Sequence, residues 1–423
     1  MTGVDQPSRP RRWWPVGLAS AAAAALLGAV LPTTLLSGPD AGPPAPAASP
    51  RPGDPPAVLA RWLGERIGAE LHRQAGALLR GDEAAWLAVA EPPAQPDLRR
   101  RYAALRAMQV SVWQAEPVGV PEPVDGQPGQ WQLRVVHRHC FVDPDCLPAP
   151  VQVQTRWRLV AGVPRLLAVD PVGGTTGSRP WEVSELAVTV GERTLVATTP
   201  ALRGQLPALL RDAEEAARTA DRYAVGTPPT RYVVYYAGAG EWRRWFGGGR
   251  AGWTAGYAVS TGGRHEVVLN SVGLRDGFVD DLLRHELTHV ATLPVRDPSA
   301  DETWWLVEGL AELAGAGGRP VARYQELPQV RRLVTGDWNG RLDGAAPPAG
   351  AGADRVAAGY GVGYLAVRHL ALRYGEQALV AFVRAVLHDR RTLDEAARRA
   401  FGGHWAVLHE ECVAAVRVAV AGD

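Results

Sequence analysis

The sequence predicts an α+β protein: an apolar N-terminal segment, then two globular units, the second with a small antiparallel or mixed sheet and a mostly helical C-terminal half. Three observations carry this expectation. Apolar residues recur at three and four between 57 and 79, and again from about 278 to the end. Short alternating runs stand between them, at 110–169 and at 183–270. Stretches rich in Gly and Pro, at 37–56 and 173–182, set the units apart.

A length of 423 residues corresponds to two or three domains, and 46% hydrophobic residues with 15 Trp suffice for more than one buried core. The net charge of +1 exerts no global pull on nucleic acid or on an anionic surface, so no nucleic-acid partner is expected. All 45 basic residues are Arg, which with abundant Ala, Gly and Pro points to a GC-rich bacterial genome.

Residues 13–36, WWPVGLASAAAAALLGAVLPTTLL, carry no charge over 24 positions, enough to cross a bilayer. Arg9, Arg11 and Arg12 precede them and Asp40 follows. Residues 1–12 are therefore expected as a cytoplasmic basic tail, with everything after the segment outside. The segment reads as a single-pass anchor in a bacterial cell membrane, being long for a signal core and lacking an obvious A-x-A cleavage site. The alternative is a signal whose cleavage secretes the chain. Residues 37–56, SGPDAGPPAPAASPRPGDPP, follow as an extended tether.

The first unit spans 57–172. A-V-L-A-R-W-L-G-E-R-I-G-A-E-L opens it with helical spacing, and Asp82 can cap a second helix. Strands are expected near 110–113, 131–137, 151–160 and 166–169. Cys140 and Cys146 flank the turn-forming F-V-D-P-D, and outside the cytoplasm such a pair closes a small disulfide. A zinc knuckle that uses His137 and His139, which share a strand face, is the rival. Cys412, on a C-terminal helix, reads as a free buried thiol. Helices followed by a curved antiparallel sheet resemble the NTF2-like cone, and QAGALLRGDEAAWLA is similar to that family's opening helices. The resemblance implies a spacer or interaction module, in a cone able to hold a ligand.

The second unit, 183–423, offers two strands, then a helix from Leu206 to Tyr223 with Pro207 in its first turn. The strand R-Y-V-V-Y-Y, a Gly-rich turn and the strand E-V-V-L-N follow, and then helices. In the first of these, Phe278, Val279, Leu282, Leu283, Leu287 and Val290 form one apolar face, with Asp276 as its cap and Pro294 beyond its end. Within it lies R-H-E-L-T-H-V. At 100° per residue His285 and His289 point within about 40° of each other, one turn apart, so both imidazoles reach one ion. Glu286 is rotated away from that ion but close enough to touch a water on it. His265-Glu266 also occurs, without a second His.

Two histidines do not hold a catalytic metal alone. Ser299 to Glu302 reads as a capping box that opens T-W-W-L-V-E-G-L-A-E-L-A, stopped at Gly315 and Gly317. Glu308 lies on this helix with 18 residues between it and His289. It completes three protein ligands and leaves a fourth position for water, as a catalytic zinc requires. Glu312, four residues on, can accept the N–H of one ligating imidazole and fix its orientation.

H-E-L-T-H, followed at this spacing by the Glu of W-L-V-E-G-L-A-E, resembles the gluzincin metallopeptidases, in the group that shares the aminopeptidase N spacing. The likeness is strong over 279–314 and loose over the rest of 185–420. It implies one Zn2+ per chain, held by His285, His289 and Glu308, with Glu286 as general base in peptide hydrolysis. The G-x-M-E-N motif is absent; A-G-W-T-A-G-Y-A-V-S stands in its region, so exopeptidase activity is not implied. His289 does not lead into x-x-G-x-x-H, which argues against the metzincin branch. In the resembling enzymes a downstream Tyr stabilises the oxyanion, a role that falls to Tyr360, with Tyr364 second. The strand before the zinc helix is in those enzymes a sheet edge over the cleft. This implies that an extended peptide pairs along Glu266, Val267, Val268, Leu269 and Asn270, with Trp253 and Tyr257 lining the cleft. The expectation is a membrane-tethered zinc endopeptidase acting on peptide or protein substrates. Its alternative is a non-catalytic interaction protein on a peptidase scaffold.

Overall fold

The structure, a computed structural model, describes residues 49–422 except 52, 172–176, 249, 251–253, 273, 275–276 and 296–300. The apolar segment 13–36, Asp276, Trp253 and Ser299 lie outside the described residues. Among those described, no helix is long and apolar enough to cross a membrane.

Helix α1 (Pro56–Arg80) buries Leu63, Ile67, Leu71 and Leu78, a stripe at near-fourfold spacing, and ends at Gly81, whose φ of 78° suits glycine. Asp82 accepts from the backbone N of Ala85 at 3.0 Å and caps α2 (Glu83–Leu87). Helix α3 (Gln95–Ala107) was not legible as an apolar stripe, because one of its inward positions is Arg101. That guanidinium is buried and bonded to Asp97 at 2.8 Å. Four antiparallel strands follow in sequential order: β1 (Val110–Pro123), β2 (Gln130–Phe141), β3 (Ala149–Val160) and β4 (Val163–Pro171). The Cys140–Cys146 disulfide closes the loop after β2.

Part of the expected linker is structured. Pro180–Val183 forms the short helix α4, where Glu182 accepts from the backbone N of Arg179 at 2.7 Å. Trp181 is 1% exposed and meets Trp113 edge-on, ring centroids 5.4 Å apart. An indole so buried removes a large apolar area from water, which outweighs the freedom of a loose connector. The apolar cluster around it continues from Leu63, Trp113 and Trp157 into Leu195, Tyr235, Trp245 and Val268 without interruption.

The second sheet has five strands: β5 (Ala187–Val190), β6 (Thr194–Thr198), β7 (Tyr232–Ala237), β8 (Gly256–Ser260) and β9 (His265–Asn270). Their order is β5-β6-β7-β9-β8. Helix α5 (Leu206–Arg222) connects β6 to its parallel neighbour β7, and the short helix α6 (Ala239–Arg244) follows β7. Strand β9 is parallel to β7 on one side and antiparallel to β8 on the other. Both faces are covered: Val233, Tyr235 and Val268 join the core shared with the first sheet, while Val234, Val267 and Leu269 pack toward the helices. Hence β7 and β9 read as apolar runs rather than as alternations.

This order corrects one expectation. Glu266–Asn270 is an interior strand, not a sheet edge, because the hairpin partner β8 occupies its outer hydrogen-bonding side. On this side the sheet ends at β8. Helix α7 (Val279–Thr292) lays Leu282, Leu283 and Leu287 onto the sheet. Then come α8 (Trp304–Ala316), α9 (Leu327–Thr335), α10 (Ala353–Tyr374), α11 (Glu376–Leu387), α12 (Leu393–Phe401) and α13 (Trp405–Ala421). Their core holds Trp305, Val362, Phe382 and the free thiol of Cys412. Helices α8 and α10 touch backbone to backbone. A Cβ on Gly309 would lie 2.4 Å from the Gly363 carbonyl oxygen, and one on Gly363 would lie 2.6 Å from that of Trp305.

Candidate metal centre

The chemistry gathers where α7, α8 and β8 meet. His285, Glu286 and His289 on α7 and Glu308 on α8 are all buried. The Nε2 atoms of His285 and His289 stand 3.0 Å apart, and Glu308 Oε2 lies 3.3 Å from the first and 3.2 Å from the second. Ligands at zinc distances of about 2.0–2.1 Å on tetrahedral corners stand roughly 3.3 Å apart, so this triangle matches. Glu308 Oε2 makes no hydrogen bond of acceptable geometry to either ring, although both are within reach. Atoms that converge on a common point behave this way. Among the described residues, His285, His289 and Glu308 are the group able to hold a metal ion.

Charge on the surrounding groups follows from burial and proximity. Burial works against a charged His285, but the carboxylates of Glu308 and Glu312 more than offset it and carry its pKa to about 10. Burial also opposes ionisation of Glu308, yet His289 and His285 bring it down to about 2. Their neighbours thus favour a cationic ring beside an anion, the electrostatics that a divalent cation exploits. Glu312 Oε1 stands 3.2 Å from His285 Nδ1, the ring nitrogen turned away from the triangle.

Glu286 is outside the triangle and is 1% exposed. Its carboxyl pKa is pushed up, first by burial and then by Glu308, while His285 and His289 counteract. The backbone N–H of Ala258 on β8 donates to it. Its Oε2 has no partner among the described residues. One oxygen region is held by the strand and the other is free to accept a proton. Gly256 allows that approach, since a Cβ there would lie 3.2 Å from Glu286 Oε1 and 3.0 Å from Leu269 Cδ2.

Tyr360, 3% exposed on α10, faces His285 with ring centroids 6.0 Å apart and packs edge-on to Trp304 at 5.0 Å. Tyr364 stacks instead on Tyr324, centroids 4.5 Å apart. Of the two candidate tyrosines the structure brings Tyr360 to the ring of His285. Tyr257 is buried on β8, its phenol pushed up to about 12 mainly by burial, and it belongs to the core beneath the strand. His265 stands beside His289, and burial, then the charge of His289, lowers it to about 4. Its neighbour Glu266 is paired with Arg264 at 2.7 Å. No sequence spacing marks His265 as a neighbour of the site, because the contact depends on the register of β9 against α7.

The zinc-knuckle alternative does not form. His137 stacks on Trp113 at 4.7 Å and His139 lies 5.4 Å from Trp181, while the two thiols are bonded to each other. Burial, then Arg101, lowers His137 to about 3.

No protein-family model matches the chain. No curated protein sequence matches it either. Among solved structures it is similar to an M1 zinc metallopeptidase from Deinococcus radiodurans, at 17% identity and a TM-score of 0.35, over 73% of this chain and 61% of that one. It is also similar to yeast LTA4 hydrolase, at 14% identity and a TM-score of 0.36, over 72% of this chain and 43% of that one. The chain thus spans less than two thirds of the length of these proteins.

Proposed function

We propose that this chain is a zinc metallopeptidase that hydrolyses internal peptide bonds of extended substrates, tethered outside the cell membrane by residues 13–36. The observation that carries the reading is the buried triangle of His285, His289 and Glu308 with a proton acceptor, Glu286, beside it and not in it. A zinc ion held by His285, His289 and Glu308 would supply Lewis acidity for a scissile carbonyl and for a nucleophilic water near neutral pH. Glu286 would take the proton of the attacking water on its free oxygen and hand it to the leaving amine. Tyr360 offers a hydroxyl toward the developing negative charge.

The outer side of β8, Gly256–Ser260, replaces Glu266–Asn270 as the edge along which a peptide backbone pairs, because β8 ends the sheet and borders Glu286. Main-chain pairing reads an extended backbone and not a terminal amine, which favours endopeptidase action. The three helices and four-stranded sheet of the N-terminal unit we read as an NTF2-like module, serving as spacer or partner-binding element.

Metal analysis of the purified chain, together with incubation with an unfolded protein and mass spectrometry of the fragments, tests this. One zinc per chain and internal cleavage abolished by a chelator are expected. Release of single N-terminal residues would refute the endopeptidase assignment. Zinc binding with no cleavage would leave the non-catalytic interaction protein in its place.

A further inference from the structure

We propose that Tyr324 is a positioning residue of this centre, the outer member of a relay Tyr324–Glu312–His285 that sets the ring of one metal ligand. The inference rests on the reading of the triangle as a metal site. Tyr324 follows the 3-10 turn Val321–Arg323, which returns the chain over the end of α8. Its hydroxyl donates to Glu312 Oε2 at 2.8 Å, and the other carboxylate oxygen, Oε1, stands 3.2 Å from His285 Nδ1 as a charge contact, not an aligned hydrogen bond. One carboxylate therefore spans both partners.

Glu312 needs such a hold. Its side chain is 15% exposed, unlike those of His285 and Glu308, which are 1% exposed. It borders a cavity of ≈ 60 Å³, room for a few waters, also lined by Arg319, Arg323 and Glu326. An unrestrained carboxylate could turn into this space toward either guanidinium and abandon the imidazole. The Tyr324 hydroxyl fixes Oε2, and the ring behind it is itself braced by stacking on Tyr364 of α10, 4.5 Å between centroids. Glu312 thereby keeps its negative charge beside Nδ1, which holds the ring with Nε2 as the face offered to a metal. No spacing in the sequence signals this, since Tyr324 reaches Glu312 across the helix end through a non-repetitive turn.

The test is zinc affinity, measured by competition with a chromophoric chelator on the full chain. Tyr324→Phe keeps the stacked ring and removes only the hydroxyl. It should weaken zinc binding by roughly 3- to 10-fold, less than the 10- to 100-fold expected of Glu312→Ala, because it acts through Glu312. The double variant should bind zinc no more weakly than Glu312→Ala alone. Glu312→Asp, too short to span both partners, should weaken binding whether or not the hydroxyl is present. If zinc affinity in Tyr324→Phe equals that of the parent, with only the melting temperature lowered, Tyr324 is a packing residue and this inference fails while the metal-site reading stands. A parent chain that binds no zinc overturns both.

Discussion

Replacing Glu286 by Gln separates proton transfer from metal binding. The amide is nearly isosteric with the carboxyl, and its carbonyl oxygen can still accept from the backbone N–H of Ala258. What disappears is the acceptor at Oε2, the oxygen without a partner. General-base catalysis contributes about 10²- to 10⁴-fold, so kcat should fall by that factor, roughly 2.7 to 5.4 kcal/mol on the barrier. Glu286 is not in the ligand triangle, so zinc content should be unchanged. Stability provides a second readout. Burial raises the folded pKa of Glu286 above its ordinary 4.5, so its contribution to stability falls as pH rises through that raised value. In chelator, the Gln variant, which carries no charge to desolvate, should melt at or above the parent temperature at pH 7. The assay is single-peptide hydrolysis alongside metal analysis and calorimetry. A Glu286→Gln protein with the parent rate removes this residue from proton transfer, and one that loses its zinc places it among the ligands.

Gly363→Ala should push α10 from α8, because its Cβ would lie 2.6 Å from a backbone oxygen that cannot yield; a loss of about 1 to 3 kcal/mol in urea unfolding is expected, with slower turnover as Tyr360 shifts. A parent-like melt and rate would show that the two helices have slack. His137, lowered to about 3 by burial and Arg101, cannot take the proton that the unfolded chain binds below 6.5. Stability should therefore fall as pH drops from 6.5 toward 3, by up to roughly 4 to 5 kcal/mol. His137→Phe should flatten that slope when both proteins are unfolded in chelator at pH 7, 5 and 4; an unchanged slope assigns the acid sensitivity elsewhere. A chain that begins at residue 183 lacks Trp181 and uncovers Tyr235, Trp245 and Val268; it should bind a hydrophobic dye and unfold without cooperativity. A sharp two-state melt would establish the two units as independent.

The three residues able to hold a metal were legible because their placement is local. His285 and His289 share a helix face by the 3.6-residue period alone, and Glu308 lies on the next long helix at a spacing that allows a third ligand. The four strands of the first sheet and the Leu206 helix were likewise readable from period two and from Pro207 in the first turn. Other features depend on partners distant in the chain. Period two announces that Glu266–Asn270 is a strand but does not say which strand flanks it, so the free edge passed to Gly256–Ser260 only with the β8–β9 pairing. Trp181 sits in a Gly- and Pro-rich stretch that reads as a linker, and its burial follows from Trp113, 68 residues earlier. That Tyr360 meets His285 while Tyr364 stacks on Tyr324 is set by how α10 packs, and Tyr324 entered by a turn with no period at all. A helix fixes angles between neighbours along one axis. Which surfaces it meets is settled by packing, where apolar area, register and backbone approach must be satisfied together.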